Sequence, residues 1–178
     1  MKSESVFLIL ALCAAAGACL PSPWAIPGTL LCIGFLLYLG LSALRDSCTD
    51  TLTGLRNLRG LQRFRSSIRK DAPISLLYLD VNDLHTLNRQ QGHAAGDQLL
   101  QKIAADLRSV PGAAAFRIGG DEFLLVRQGI CPEQLLSLWR AADTSKAVSA
   151  GAATGSAGNW ESLLHDAEWA MYRQKEHF

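Results

Sequence analysis

The chain of 178 residues has no excess of either charge, with 17 lysines and arginines against 16 acids and a net charge of +1. A balance of that kind leaves no basic footprint for nucleic acid, and no nucleic-acid partner is expected. It also lacks any Cys-x-x-Cys pair. Its five cysteines, Cys13, Cys19, Cys32, Cys48 and Cys131, are odd in number and three lie in an apolar stretch. That pattern argues against a disulfide framework or a zinc site, and free thiols in a reducing compartment are the simpler reading. Charge is missing altogether from Val6 to Leu20 and again from Thr29 to Leu44. Between Arg45 and Thr49 there is no room for a separate sensor domain or a long coiled coil.

The two uncharged runs flank a Pro/Gly turn, Pro21 to Gly28. Each is slightly shorter than the ~20 residues that cross a bilayer comfortably. They predict a transmembrane hairpin over residues 1–45, with helices at about 5–20 and 28–44. The turn is uncharged, while Lys2, Arg45 and the basic segment Arg56 to Lys70 lie on the other side. The positive-inside rule then places a multi-pass protein in the cytoplasmic, or inner, membrane with both termini and its larger part in the cytoplasm. Other readings stay open. The first run also fits a cleaved signal peptide. A lipoprotein site at Cys19 fits poorly, because Ala16 stands where a larger aliphatic residue is expected. Both runs also fit core helices.

From residue 46 onward the pattern is that of a mixed domain. Asn57 caps a predicted helix running to about Arg69, with Leu58, Leu61, Phe64 and Ile68 at helical spacing. Ile74 to Leu79 reads as a buried strand ending at Asp80, a common place for a metal ligand and equally for a solvated strand end. Asn82 or Asp83 can cap the next helix, which carries His85, Asn88 and Arg89 and stops at Gly92. Gly96-Asp97 opens a long amphipathic helix to about Arg108, with Asp97 as a cap or a ligand. Phe116 to Val126 reads as two strands around Gly119-Gly120-Asp121-Glu122. Adjacent glycines suggest a tight hairpin with φ > 0, and a side-chain-free turn lets backbone approach a ligand. The bland reading is an ordinary hairpin with an acidic tip. Pro132 starts a helix to about Ala142, Ala147 to Ala153 is a small-residue strand, and Trp160 to Glu176 is a last helix bearing Lys175. Mixed elements around one sheet predict an α+β sandwich.

Five segments in order carry a resemblance: Asp50-x-Leu-Thr-Gly-Leu-x-Asn57, Asp80-Val-Asn-x-Leu, Asn88-x-x-x-Gly92-His93-x-x-Gly96-Asp97, Arg117-x-Gly119-Gly120-Asp121-Glu122-Phe123 and Ala167-Glu-x-Ala170-Met171-Tyr172-x-x-Lys175. Together they resemble the signatures of the GGDEF diguanylate cyclase family over about residue 48 to the end. The resemblance implies a central sheet flanked by helices, similar to nucleotidyl cyclases and polymerase palms, over residues 46–178. It implies condensation of two GTP into cyclic di-GMP and two pyrophosphates by a homodimer. It further implies two Mg²⁺ or Mn²⁺ ions per site, held by Asp80, the Val81 carbonyl and Asp121, with Asp121 also activating the attacking 3′-hydroxyl. Asn88, His93 and Asp97 match contacts to guanine and ribose, Gly119 and Gly120 the turn against the nucleotide, and Lys175 a phosphate contact. Glu122 matches the second acid of the motif.

The departures are specific. His85 stands where the family usually has a lysine that stabilises transferring phosphate, and a neutral histidine carries less charge near pH 7. Asn82 replaces a frequent second Asp, Arg89 the usual Asp after Asn88, Leu58 the first Arg of Asn-Arg-Arg and Glu168 the usual Asp. The sequence reaches Phe178 before a Gly-Arg segment that normally adds a phosphate contact. The family's inhibitory Arg-x-x-Asp corresponds to Val110-Pro111-Gly112-Ala113, so product inhibition through that site is expected to be absent. A degenerate domain that binds GTP and regulates a partner without turnover is the competing expectation.

Overall fold

A computed structural model describes residues 30–40 and 48–175. The chain divides into two units, Met1–Ser47 and Cys48–Phe178. Within the first, residues 30–40 are helical. At a rise of 1.5 Å per residue that stretch covers about 16 Å, roughly half of a bilayer's hydrocarbon core. Among the described residues no helix is long and apolar enough to cross a membrane. The transmembrane hairpin, the inner-membrane placement and the membrane as a partner are therefore corrected. The apolar character is there, since Leu30, Leu31, Phe35 and Leu37 are exposed on the helix, but the described stretch does not reach the length of a span. The predicted first helix, at about 5–20, lies outside the described residues.

The second unit is built on four strands, β1 (Pro73–Val81), β2 (Ala114–Arg117), β3 (Glu122–Gln128) and β4 (Val148–Ser156). Their order across the sheet is β2-β3-β1-β4, and each neighbouring pair is antiparallel. Five helices pack on it: α1 (Leu58–Ser67), α2 (Leu84–Gln91), α3 (His93–Ser109), α4 (Pro132–Arg140) and α5 (Trp160–Lys175). This is the predicted α+β arrangement of a sheet flanked by helices.

Strand alternation sorts β1 into two cores. Leu77, Leu79 and Val81 join Phe123, Leu125 and the apolar stripes of α3 (Leu100, Ile103, Leu107) and α4 (Leu135, Trp139). Ile74, Leu76 and Tyr78 join Phe116, Leu124, Val126 and α5's Trp160, Leu163, Ala167 and Met171. Burial on both faces explains why β1 reads as one apolar run. By the same alternation Asp80 falls on the α5 face.

β4 lets α5 come very close. A Cβ on Gly151 would stand 2.1 Å from the Ala167 carbonyl oxygen and from the Met171 amide nitrogen. The Gln174 side chain accepts from the Ala150 N–H at 3.2 Å, which ties the last turn of α5 to this edge strand. That docking sets where Lys175 lies. At the opposite edge the Arg56 carbonyl accepts from the Arg117 N–H at 2.8 Å, covering part of β2.

Local signals act as expected in several places. Asn57 caps α1 by accepting from the Gly60 N–H at 3.0 Å, and Pro132 is the first residue of α4. Two boundaries differ. α3 begins at His93, after Gly92 with φ of 84°, so Asp97 lies inside its second turn and is not a cap. Asp83 stands at the start of α2 but makes no capping bond, because its backbone is left-handed with φ of 53°. Asp tolerates that region better than most residues, and the reversal turns the chain from β1 into α2.

Candidate active site

The C-terminal end of β1 gathers most of the predicted residues. Asp80 is the register partner of Glu122 on β3, so the two carboxylates face each other on the α5 side of the sheet. Like charges directly opposed in a sheet are destabilising unless compensated. Here Lys175 Nζ meets Asp80 Oδ1 at 2.5 Å, and the Tyr78 hydroxyl donates to Glu122 Oε1 at 2.7 Å. Burial, and next the Glu122 carboxylate, push the Tyr78 phenol well above its ordinary range. It is therefore a neutral hydrogen-bond donor near neutral pH.

Asp121 is brought to the same place through the backbone. Its carbonyl accepts from the Val81 N–H at 3.1 Å, which fixes Asp121 beside the strand end carrying Asp80 and Val81. Among the described residues no three His, Cys, Asp or Glu side chains gather into a metal-binding group. The donor set at this strand end is acids and backbone, the kind that suits a hard divalent cation shared with substrate phosphates. Val81's own side chain is buried.

The turn at Gly119-Gly120 is a hairpin, with the Ile118 and Gly119 amides both donating to the Glu122 carbonyl at 2.9 and 3.3 Å. The expected positive φ is not there: among the described glycines it is found at Gly54, Gly92, Gly112 and Gly129. Packing supplies the reason for Gly119 instead. A Cβ there would stand 2.2 Å from Glu122 Oε2. A Cβ on Gly120 would meet nothing within 4 Å, so its face of the turn is open.

Arg117, quoted in the motif but given no role from sequence, clamps this turn. Its Nε and Nη2 donate to the Gly120 carbonyl at 3.2 and 2.6 Å, while Nη1 reaches Asp50 Oδ1 at 3.0 Å. Asp50 in turn accepts from the Thr53 amide and hydroxyl at 2.8 and 2.6 Å. The Asp50-x-Leu-Thr segment is thus wired to the glycine turn by one guanidinium.

A second group lies between α2 and α3. A Cβ on Gly96 would stand 2.0 Å from Asn88 Oδ1, so the missing side chain makes the space that the Asn88 amide fills. That buried oxygen has no hydrogen-bond partner. Such orphaned acceptors are rare and cost about 1–3 kcal/mol. His93 and Asp97, four residues apart on α3, share one exposed face beside Gly96. His85 is exposed in the first turn of α2. The structure thus joins Asp80, Val81, Asp121, Glu122 and Lys175 at one strand end, and Asn88 with the Gly96–Asp97 segment between helices. Tyr78 was missed from sequence. The signal was there: it is the aromatic in an aliphatic strand, two residues before Asp80 and so on its face.

Comparison with known proteins decides the family. A model described as "Diguanylate cyclase, GGDEF domain" matches residues 47–178. The chain belongs to the GGDEF family. Diguanylate cyclase DgcP of Pseudomonas aeruginosa is 34% identical over 154 residues, covering 74% of this chain and 23% of that protein. Diguanylate cyclase VdcA of Vibrio cholerae is 36% identical over 85 residues, 46% of this chain and 25% of that protein. The matched stretches span about a quarter of the length of these two curated relatives. The crystal structure of the GGDEF domain of DgcB from Caulobacter crescentus, in complex with c-di-GMP, superposes with a TM-score of 0.67 at 23% identity, over 74% of this chain and 92% of that one. At that identity it supports the fold of the GGDEF domain alone.

Proposed function

We propose that residues 46–178 form a diguanylate cyclase domain that condenses two GTP into cyclic di-GMP and two pyrophosphates, with two copies facing each other. The observation that carries this reading is the strand end where Asp80 opposes Glu122, with Lys175 on Asp80 and Asp121 bonded back to Val81. Asp80, the Val81 carbonyl and Asp121 would hold Mg²⁺ or Mn²⁺, which neutralises charge developing on the phosphates. Lys175 sits beside Asp80 and is 39% exposed, so its ammonium can serve a phosphate as well as an acid. The orphaned Asn88 oxygen fits a donor on guanine, and Asp97 can accept from a second. His93 flanks the same segment. The open face of Gly120 lets the turn approach the nucleotide. Asp121 would take the proton of the attacking 3′-hydroxyl, and Glu122 would be the second acid of the reaction. His85 supplies a hydrogen-bond donor where a lysine would supply full charge.

Asp80→Ala and Asp121→Ala are each expected to abolish cyclic di-GMP synthesis while leaving the fold intact by circular dichroism. Substantial residual synthesis by either variant sinks the assignment. His85 favours a second reading, a domain that binds GTP without turnover. That reading predicts saturable GTP binding with no pyrophosphate release by the unmodified chain.

A further inference from the structure

Tyr78 occupies a position that a purely structural tyrosine has no need of. It is 5% exposed and lies on the face of β1 that ends in Asp80. Its register partner on β3 is Leu124, and its hydroxyl reaches diagonally past that residue to Glu122. Long aromatic side chains span such diagonals. The Glu122 carboxylate is then held at both oxygens. Oε1 accepts from the Tyr78 hydroxyl at 2.7 Å, and Oε2 fills the hollow left by the missing Gly119 side chain. A hydrogen bond from a neutral hydroxyl to a carboxylate is among the stronger kinds; the tyrosine is buried and the carboxylate half-buried.

We propose that Tyr78 is a positioning residue of this site. Its hydroxyl, acting through Glu122, holds that carboxylate facing Asp80 across the β1–β3 pair, in the orientation in which Glu122 would join Asp80, the Val81 carbonyl and Asp121 around the divalent cation. Tyr78 itself touches neither nucleotide nor metal. The inference rests on the cyclase reading of this strand end and adds to it a residue outside the five sequence motifs.

The test uses the full chain and Tyr78→Phe, which keeps the ring and removes the hydroxyl. Mn²⁺ binding in the presence of a non-hydrolysable GTP analogue is measured by calorimetry, alongside steady-state kinetics. The expected result is Mn²⁺ affinity weakened about tenfold, the lower end of what a hydrogen bond to a charged group contributes. Turnover falls by a similar factor, KM for GTP changes little, and the thermal midpoint stays close to that of the unmodified chain. In a Glu122→Ala background, Tyr78→Phe has no further effect, because the residue acts only through Glu122. Mn²⁺ affinity and turnover equal to those of the unmodified chain would overturn the inference while leaving the cyclase reading intact. A penalty that adds in full to that of Glu122→Ala overturns it as well. If the unmodified chain binds Mn²⁺ and nucleotide but makes no cyclic di-GMP, the cyclase reading falls, and the binding comparison alone decides on Tyr78. If the unmodified chain takes up no Mn²⁺, both fall together.

Discussion

Gly96 carries no side chain because Asn88 occupies the space. Gly96→Ala would drive a methyl group into the Asn88 amide, and the buried Oδ1 could no longer be offered to a ligand. The expected outcome is a KM for GTP raised about tenfold, the order of one lost buried hydrogen bond, with a smaller effect on turnover. An unchanged KM would separate Asn88 from nucleotide binding. Asp50 makes a different kind of prediction. Burial alone would raise its carboxyl, but the hydrogen bonds from Thr53 and then Arg117 outweigh burial and hold it below the usual carboxylate range. A carboxyl whose folded pKa is lowered binds its proton more readily in the unfolded chain. Its contribution to stability is complete above the ordinary value near ~3.9 and is lost as the pH falls through the folded value. Asp50→Asn should therefore be less stable than the unmodified chain at neutral pH, and the difference should shrink with acid. Urea midpoints taken from about pH 7 down to about pH 3 measure this, and a gap that persists unchanged at the acid end contradicts it.

At the scale of elements, the site depends on how closely α5 lies against β4. Gly151 is where backbone meets backbone, with the Ala167 carbonyl and Met171 amide at the edge of any Cβ. Gly151→Ala is expected to lower stability by about 1–3 kcal/mol, the usual cost of overpacking. It should also reduce cyclase activity more than stability, because Lys175 is carried by the same helix. Retention of both would show that α5 is not what places the lysine. The elements were largely legible in the sequence: α1 from Asn57 and its apolar spacing, β1 from its aliphatic run, α4 from Pro132. The start of α3 was not, since Gly92-His93-Ala-Ala-Gly96 holds two glycines and no side-chain cap, and reads as a loop. Nor was the role of Gly119-Gly120. Paired glycines signal positive φ, whereas Gly119 is explained by the Glu122 carboxylate, a contact that exists only once the hairpin is folded. The placement of β1 between β3 and β4, and the Asp80–Glu122 register with it, are long-range pairings for which no local signal exists.

At the scale of the whole molecule, the GGDEF domain gathers Asp80, Glu122 and Lys175 at one strand end and holds the orphaned Asn88 oxygen between two helices, and the proposed nucleotide condensation would use both. The chain also carries an N-terminal unit, and among the described residues no helix is long and apolar enough to cross a membrane. If, as proposed, two copies face each other to join two GTP, activity should rise more steeply than linearly with protein concentration. The most direct measurement is incubation of the full chain with GTP and Mg²⁺ at high protein concentration, with the products identified by mass spectrometry. The account predicts cyclic di-GMP and pyrophosphate in a ratio of one to two. GTP bound and recovered intact would contradict it.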